Sequence, residues 1–320
     1  MAKVNEIKFS DIYITPEKKA YIPDGRTQNG LAVLQAEDFD DFYGLIEQSW
    51  DGENPSYSVR YGNIFYRVER TVAMDGIQYC ARKMPEKVPP VGVLGFPTEL
   101  TRYLLSLSNM SGLILFSGPT GAGKTTSISS LLKEYLTIEG GFAYTIEDPT
   151  EMPLDGEYHS VEGGLGLCKQ TQPPRGIWGE GLKSALRSKP RFIMVGEIRT
   201  PDTASEVLRA ATSGHMVLSS IHANNITDAI NSVVKYAAST SMSEELAYDL
   251  FSRGMLGVLH QTLVGVKVKR PLINYLFANP DTTQGDQVRG IIKSGKLNLA
   301  TSIEMQMTRL PRGMNIFPEN

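Results

Sequence analysis

Cysteine is scarce in this sequence: Cys80 and Cys168 are the two in 320 residues. A disulfide framework and a four-cysteine zinc site are therefore both excluded, and the usage fits a reducing compartment. Charge of one sign is not in excess either. The 32 Lys and Arg stand against 35 Asp and Glu, a formal net charge of −3, so no global field draws the chain to nucleic acid or to an anionic membrane. No apolar run approaches the length of a bilayer span, and the opening MAKVNEIKFSD has no apolar core of a secretory signal. The expectation is a soluble, cytoplasmic chain. With 41% hydrophobic residues, its length allows two cores.

What is present is concentrated between Leu113 and Thr126, LILFSGPTGAGKTT. An apolar run stops at Ser117, and Gly118-Pro119-Thr120-Gly121-Ala122-Gly123-Lys124-Thr125 then matches G-x-x-x-x-G-K-[ST], with Thr126 following. The glycines let backbone N–H groups turn inward around a phosphate chain, and a helix opening near Lys124 adds its positive end. Lys124 would reach the β- and γ-phosphates and Thr125 would hold Mg²⁺. A glycine turn beside a solvated lysine is the plain alternative. The order strand, loop, helix argues against it and for a nucleoside triphosphate site.

Around this loop the chain divides into an N-terminal α+β domain over 1–84, a linker over 85–97 and an α/β nucleotide domain over 98–320. In the first, short strands flank Pro16, Glu37 to Trp50 carries apolar residues at helical spacing, and Tyr57 to Arg60, Asn63 to Thr71 and Ile77 to Lys83 read as strands. Asp75-Gly76 is a hairpin signal. Counting outward from it pairs Met74 with Ile77 and Glu69 with Arg82, placing Arg67, Glu69 and Arg82 on one face as a solvated cross-strand ion pair. Pro85, Pro89, Pro90 and Pro97, with Gly92 and Gly95, make the linker.

In the nucleotide domain, the strand Phe142 to Ile146 delivers Glu147, Asp148 and Glu151 at its C-terminal end, where ligands sit in parallel α/β sheets. A loop with Gly163, Gly164, Gly166 and Pro173-Pro174 follows, long enough for a mobile or partner-binding segment. Ile177 to Lys189 reads as a helix. Phe192 to Val195, a buried parallel strand, carries Glu197 towards Mg²⁺ or the attacking water. Thr200-Pro201 starts a helix that Gly214 stops, and Met216 to Ile221 is the next strand, with His215 at its entry and His222 at its exit. His215 reads as structural and His222 as functional, by position. Further on, helices are expected over Thr227 to Ala238 and Ser243 to Leu263, with strands over Val264 to Lys269 and Leu272 to Phe277 and a frayed end from Pro311 to Asn320.

Taken together, the loop at Gly118 to Thr125, TIEDPTE at Thr145 to Glu151, VGEIR at Val195 to Arg199 and SGHMVLSSIHAN at Ser213 to Asn224 resemble, in order and spacing, the secretion and type IV pilus motor ATPases. The resemblance implies a hexameric RecA-like ATPase of the bacterial cytoplasm with a smaller N-terminal α+β, PAS-like domain. It further implies ATP and Mg²⁺ as ligands, and attachment through partner proteins to an inner-membrane secretion or pilus assembly. By that resemblance Glu151 prepares the attacking water, Glu197 takes the Walker B role and holds the metal with Thr125, and His222 senses the γ-phosphate. Arg67 and Arg82 match arginines that such enzymes present to a neighbour's nucleotide, which replaces the solvated-pair reading.

The departures are Thr200 for an aspartate, Ser220-Ile221-His222-Ala223 for T-L-H-T, Lys183 for an arginine and Arg191 for an acid. None removes a group that touches phosphate. The missing tetracysteine module leaves pilus retraction motors and the type IVB secretion or conjugation group, and the DGIQ of Asp75 to Gln78 with the tail from Leu272 through Ile292 favours the latter. A nucleic-acid translocase on the same core is the rival from another class. It would need a basic track or clustered aromatics, which the sequence does not show, so no direct nucleic-acid binding is expected. A nucleotide-dependent switch without turnover is a third reading.

Overall fold

The computed structural model describes residues 2–25, 30–160, 163–173, 177–239, 242–265, 269–281 and 285–317. Contacts divide the chain into two units, Met1–Lys87 with Asp148–Pro153, and Val88–Glu147 with Leu154–Asn320.

Alternating apolar residues build the first unit. Its strands are β1 (Asp11–Ile14), β2 (Ala20–Pro23), β3 (Leu31–Val33), β4 (Ser56–Tyr61), β5 (Ile64–Ala73) and β6 (Gly76–Lys83). They form an antiparallel sheet in the order β3-β2-β1-β6-β5-β4. Helix α1 (Phe39–Gln48) lays Phe42 and Ile46 on Ile12, Tyr66 and Val68 of the sheet, all within one core, and the Phe42 ring meets Tyr66 edge-on at 4.8 Å.

The β5–β6 hairpin differs from the expected register. Ala73 pairs with Gly76, Arg67 with Arg82 and Glu69 with Cys80. Gly76, at φ +138° with its Cα against Pro16, where a Cβ would lie 3.0 Å from the proline ring, takes a strand position. The turn therefore falls on Met74-Asp75, two residues of register away from a count that used Asp75-Gly76 as the loop. A shift of two keeps the face but changes the partners. Arg82 pairs with Asp11 rather than Glu69, and Glu69 bonds the Ser56 hydroxyl across from it.

The second unit follows the alternation of strand and helix. After α2 (Thr98–Ser106) come β7 (Gly112–Ser117), α3 (Lys124–Glu139), β8 (Gly141–Ile146), β9 (Gly156–His159), β10 (Leu165–Thr171), α4 (Trp178–Arg187) and β11 (Phe192–Val195). The chain continues with α5 (Pro201–Ala211), β12 (Met216–Ile221), α6 (Ile226–Ala238), α7 (Glu244–Gly254), β13 (Met255–Val264), β14 (Arg270–Phe277), α8 (Gln287–Lys293) and α9 (Ala300–Arg309). The sheet runs β14-β13-β7-β12-β11-β8-β10-β9, parallel from β13 to β10 and antiparallel at both edges. Every residue of β7, β11 and β12 is buried. That is why they read as continuous apolar runs. Val207, Ile230 and Phe251 of the α5–α6–α7 layer share a core with Leu113, Ile193 and Val217 of the sheet, while Tyr135 of α3 lies 5.9 Å from the Phe192 ring on the opposite face.

Three further expectations meet a different structure. The glycine-rich stretch after Glu151 is not one long loop: Gly156–His159 and Leu165–Thr171 pair as the hairpin β9–β10, Gly163 and Gly164 lie between them, and β10 joins the parallel sheet beside β8. Pro174 and residues 266–268 and 318–320 lie outside the described residues. The helix expected over Ser243 to Leu263 ends at Gly254, and the chain passes straight into β13. A strand buried on both faces has no period of two, so its apolar run is indistinguishable from a buried helix. In the proline-rich stretch Val88 and Val91 are buried in the second unit, with a single 3₁₀ turn over Val91–Val93.

Candidate nucleotide site

The phosphate loop leaves the central strand β7 and enters α3, as the motif requires. Gly118 sits at φ +143°, and a Cβ there would lie 2.1 Å from the Gln261 carbonyl oxygen, so no side chain fits. Gly121 and Gly123, at φ +75° and +84°, hold the left-handed turns that bring the chain to the helix. Lys124 is buried, and its ammonium donates to the carbonyls of Gly118 (2.8 Å) and Pro119 (3.0 Å), so its charge lies within the loop. Pro119, Thr120 and Gly121 form an exposed rim, Ala122 is buried, and Thr125 and Thr126 are half-buried in the first turn of α3.

Underneath lies a polar layer that the motif does not announce. Gln261, on β13, is 2% exposed; its Nε2 donates to the Ala122 carbonyl at 2.6 Å, and its Oε1 accepts from the Ser127 hydroxyl at 2.8 Å. Next to it, His260 Nδ1 lies 3.2 Å from the Ser117 hydroxyl, which donates to the Leu259 carbonyl. Burial, and then the Lys124 ammonium, push the His260 pKa below its ordinary 6.5. This layer was hidden because Gln261 falls in the stretch read as helix. The only signal available was a polar pair ending an apolar run.

The neighbouring strands deliver their polar groups at the same, C-terminal, edge. Glu197 follows β11, and His222 follows β12, the strand between β11 and β7. The Glu197 carboxylate takes His222 Nε2 at 2.8 Å on one oxygen and Arg199 Nε at 2.6 Å on the other. These three side chains, with Ile198, Ile221 and Tyr236, line a cleft of about 340 Å³. Ser220 donates to the Gly196 carbonyl, and Ile198 N–H to the Ser220 carbonyl, fixing the two strand ends against each other. Glu147, at the end of β8, is buried and accepts from Thr145 Oγ1 (2.7 Å) and Gln170 Nε2 (2.9 Å). His215 contacts the Pro190 carbonyl at 2.6 Å, the structural role expected of it.

The other singled-out residues belong to the first unit. Asp11, Arg82, Arg67 and Ser58 face one another in a row across β1, β6, β5 and β4. Two arginines opposite each other repel. Asp11 offsets this by accepting from Arg82 Nε at 2.8 Å, and it raises the guanidinium pKa. Glu151 is exposed within Asp148–Pro153, a segment that groups with the first unit and is tied to β4 by a 3.1 Å contact between the Thr150 and Ser58 hydroxyls.

A family model described as type II/IV secretion system protein matches residues 62–284. The chain belongs to that family. It is 34% identical over 172 residues to the type IV pilus assembly ATPase TfpB of Acinetobacter baylyi, covering 53% of this chain and 26% of that protein. Over 244 residues it is 29% identical to the protein transport protein HofB homolog of Escherichia coli, covering 70% and 50%. The chain thus spans about a quarter to a half of the length of these two relatives. Among solved structures, the pilus retraction motor PilT with bound ADP superposes with a TM-score of 0.72 at 24% identity, over 96% of this chain and 90% of that one. The ATPase DotB of Legionella pneumophila gives 0.67 at 22%, over 94% and 87%. These likenesses establish the fold: a RecA-like core with a smaller N-terminal α+β domain.

Proposed function

We propose that this chain is an ATP-hydrolysing motor of a bacterial secretion or pilus machine. The observation that carries the reading is the phosphate loop on β7 with Glu197 and His222 on the two next strands, an arrangement that collects phosphate-binding and acid–base groups at one sheet edge. Lys124 and the loop amides hold the β- and γ-phosphates. The Thr125 hydroxyl and the Glu197 carboxylate suit Mg²⁺, which takes few protein ligands and keeps its waters; among the described residues no three His, Cys, Asp or Glu side chains group into a dedicated metal cage. When bound, the ion supplies neutralisation of charge on the phosphate oxygens.

In this reading Glu151 accepts a proton from the attacking water, His222 donates to the γ-phosphate, and Arg67 and Arg82 neutralise charge on the nucleotide of a neighbouring copy in a homohexamer. Cytoplasmic work at an inner-membrane assembly follows from that role, with type IVB secretion or conjugation as the machine and pilus retraction as the alternative. The test is steady phosphate release from ATP by the purified chain, lost in Lys124→Ala with nucleotide binding. An inactive wild-type oligomer that binds ATP would leave a switch, and stimulation by DNA that falls steeply with salt would indicate a translocase.

A further inference from the structure

The phosphate loop is held both by its own bonds, from Lys124 to the Gly118 and Pro119 carbonyls, and by a side chain from another strand. We infer that Gln261 is a positioning residue for phosphate binding, acting by fixing one peptide plane of the loop. Its Nε2 donates to the Ala122 carbonyl at 2.6 Å. In a trans peptide the carbonyl and the following amide point in opposite directions. Anchoring the Ala122 oxygen on β13 therefore turns the Gly123 N–H away from β13, which aims it as a donor for an anion cradled by the loop. Gly123, at φ +84° with no Cβ, gives that plane no side-chain restraint of its own.

The rest of the contact set serves the same end. Ser127, one turn into α3, donates to Gln261 Oε1 at 2.8 Å and so fixes which end of the amide faces the loop. A Cβ on Gly123 would come within 3.1 Å of Gln261 Nε2, and one on Gly118 within 2.1 Å of the Gln261 carbonyl, so β13 touches the loop at both of its ends. The side chain is 2% exposed, which shields these bonds from competing water. This inference rests on the phosphate-loop reading and adds a residue outside the motif.

The decisive variants are Gln261→Met and Gln261→Leu, which keep an apolar side chain of similar bulk, donate nothing to Ala122 and add no charge beside the phosphates. Affinities for ADP and for pyrophosphate are measured by calorimetry well below the unfolding temperature, alongside Ser127→Ala and Lys124→Ala. Both Gln261 variants are expected to bind each ligand about three- to ten-fold more weakly, the scale of one buried hydrogen bond, with Ser127→Ala affected less because the donor to Ala122 remains. A lowered unfolding temperature with unchanged affinities in either folded variant would overturn the inference and leave Gln261 as packing. Wild-type ADP affinity in Lys124→Ala would instead overturn the phosphate-loop reading itself, so the two failures are distinguishable. If Gln261→Met does not fold, Gln261→Leu carries the test, because it too removes the donor without burying a charge.

Discussion

Single side chains at the strand ends divide into those that bind and those that react. Glu197 holds two cationic or hydrogen-bonding partners in the structure, so its removal disturbs His222 and Arg199 together. Glu197→Gln and Glu151→Gln are expected to leave MgATP binding within a few-fold of wild type while lowering turnover by at least about 10²-fold, the ordinary scale for acid–base and metal-holding groups. Wild-type turnover in Glu151→Gln would remove it from the mechanism. His260 gives a pH-dependent prediction. Its folded pKa is depressed, so the unfolded chain binds the proton more tightly, and its contribution to stability is complete above about 6.5 and declines as pH falls through that value towards the lower folded one. Asp228 opposes the shift weakly. Denaturant midpoints between pH 8 and 5 should fall on acidification, and a folded His260→Asn variant should show a smaller fall.

At the scale of elements, the nucleotide core was legible wherever function imposes a local motif or burial imposes a period. The strands β7, β8, β11 and β12, the helices α5 and α6 and the start of α3 lie within two residues of where apolar runs, caps and glycines place them. Thr200 shows why: its side chain accepts from Thr203 N–H ahead of Pro201, so the residue that departs from the expected aspartate still caps α5. Register and long-range support were not legible. The hairpin turn depended on Gly76 packing against Pro16, sixty positions away, and the β13 layer beneath the loop has no local code at all. The tightest such constraint is Gly118. Gly118→Ala adds a Cβ 2.1 Å from a backbone oxygen in a glycine-only region of φ, which costs about 1–3 kcal/mol in backbone strain before any clash. Loss of nucleotide binding, with a lowered unfolding temperature, is the expected result; a variant that binds ADP as wild type would show that β13 yields.

For the whole molecule, the proposed reactive groups are shared between the two units: the phosphate loop, Glu197 and His222 in one, Arg67, Arg82 and Glu151 in the other. If the arginines serve a neighbouring copy, mixing Arg82→Ala with Lys124→Ala under subunit exchange should restore part of the activity, because an intact loop from one can meet an intact arginine from the other. Each variant alone should be nearly inactive, since an arginine of this kind is worth on the order of 10³–10⁵ in rate. No recovery in demonstrated mixed oligomers would reject the shared site.

The division of the chain also bears on how it can be cut. Because Asp148–Pro153 belongs with Met1–Lys87, the polypeptide passes between units three times, at 87–88, 147–148 and 153–154. A gene fragment ending at Lys87 would therefore encode a first unit lacking the Thr150 hydroxyl that meets Ser58, and the complementary fragment would carry six residues stranded from their packing. Neither half is a transplantable module. Recombining this N-terminal unit with another core requires a second splice that brings 148–153 along, and exchange at a single junction is expected to yield a chimera whose acidic segment answers to the wrong scaffold.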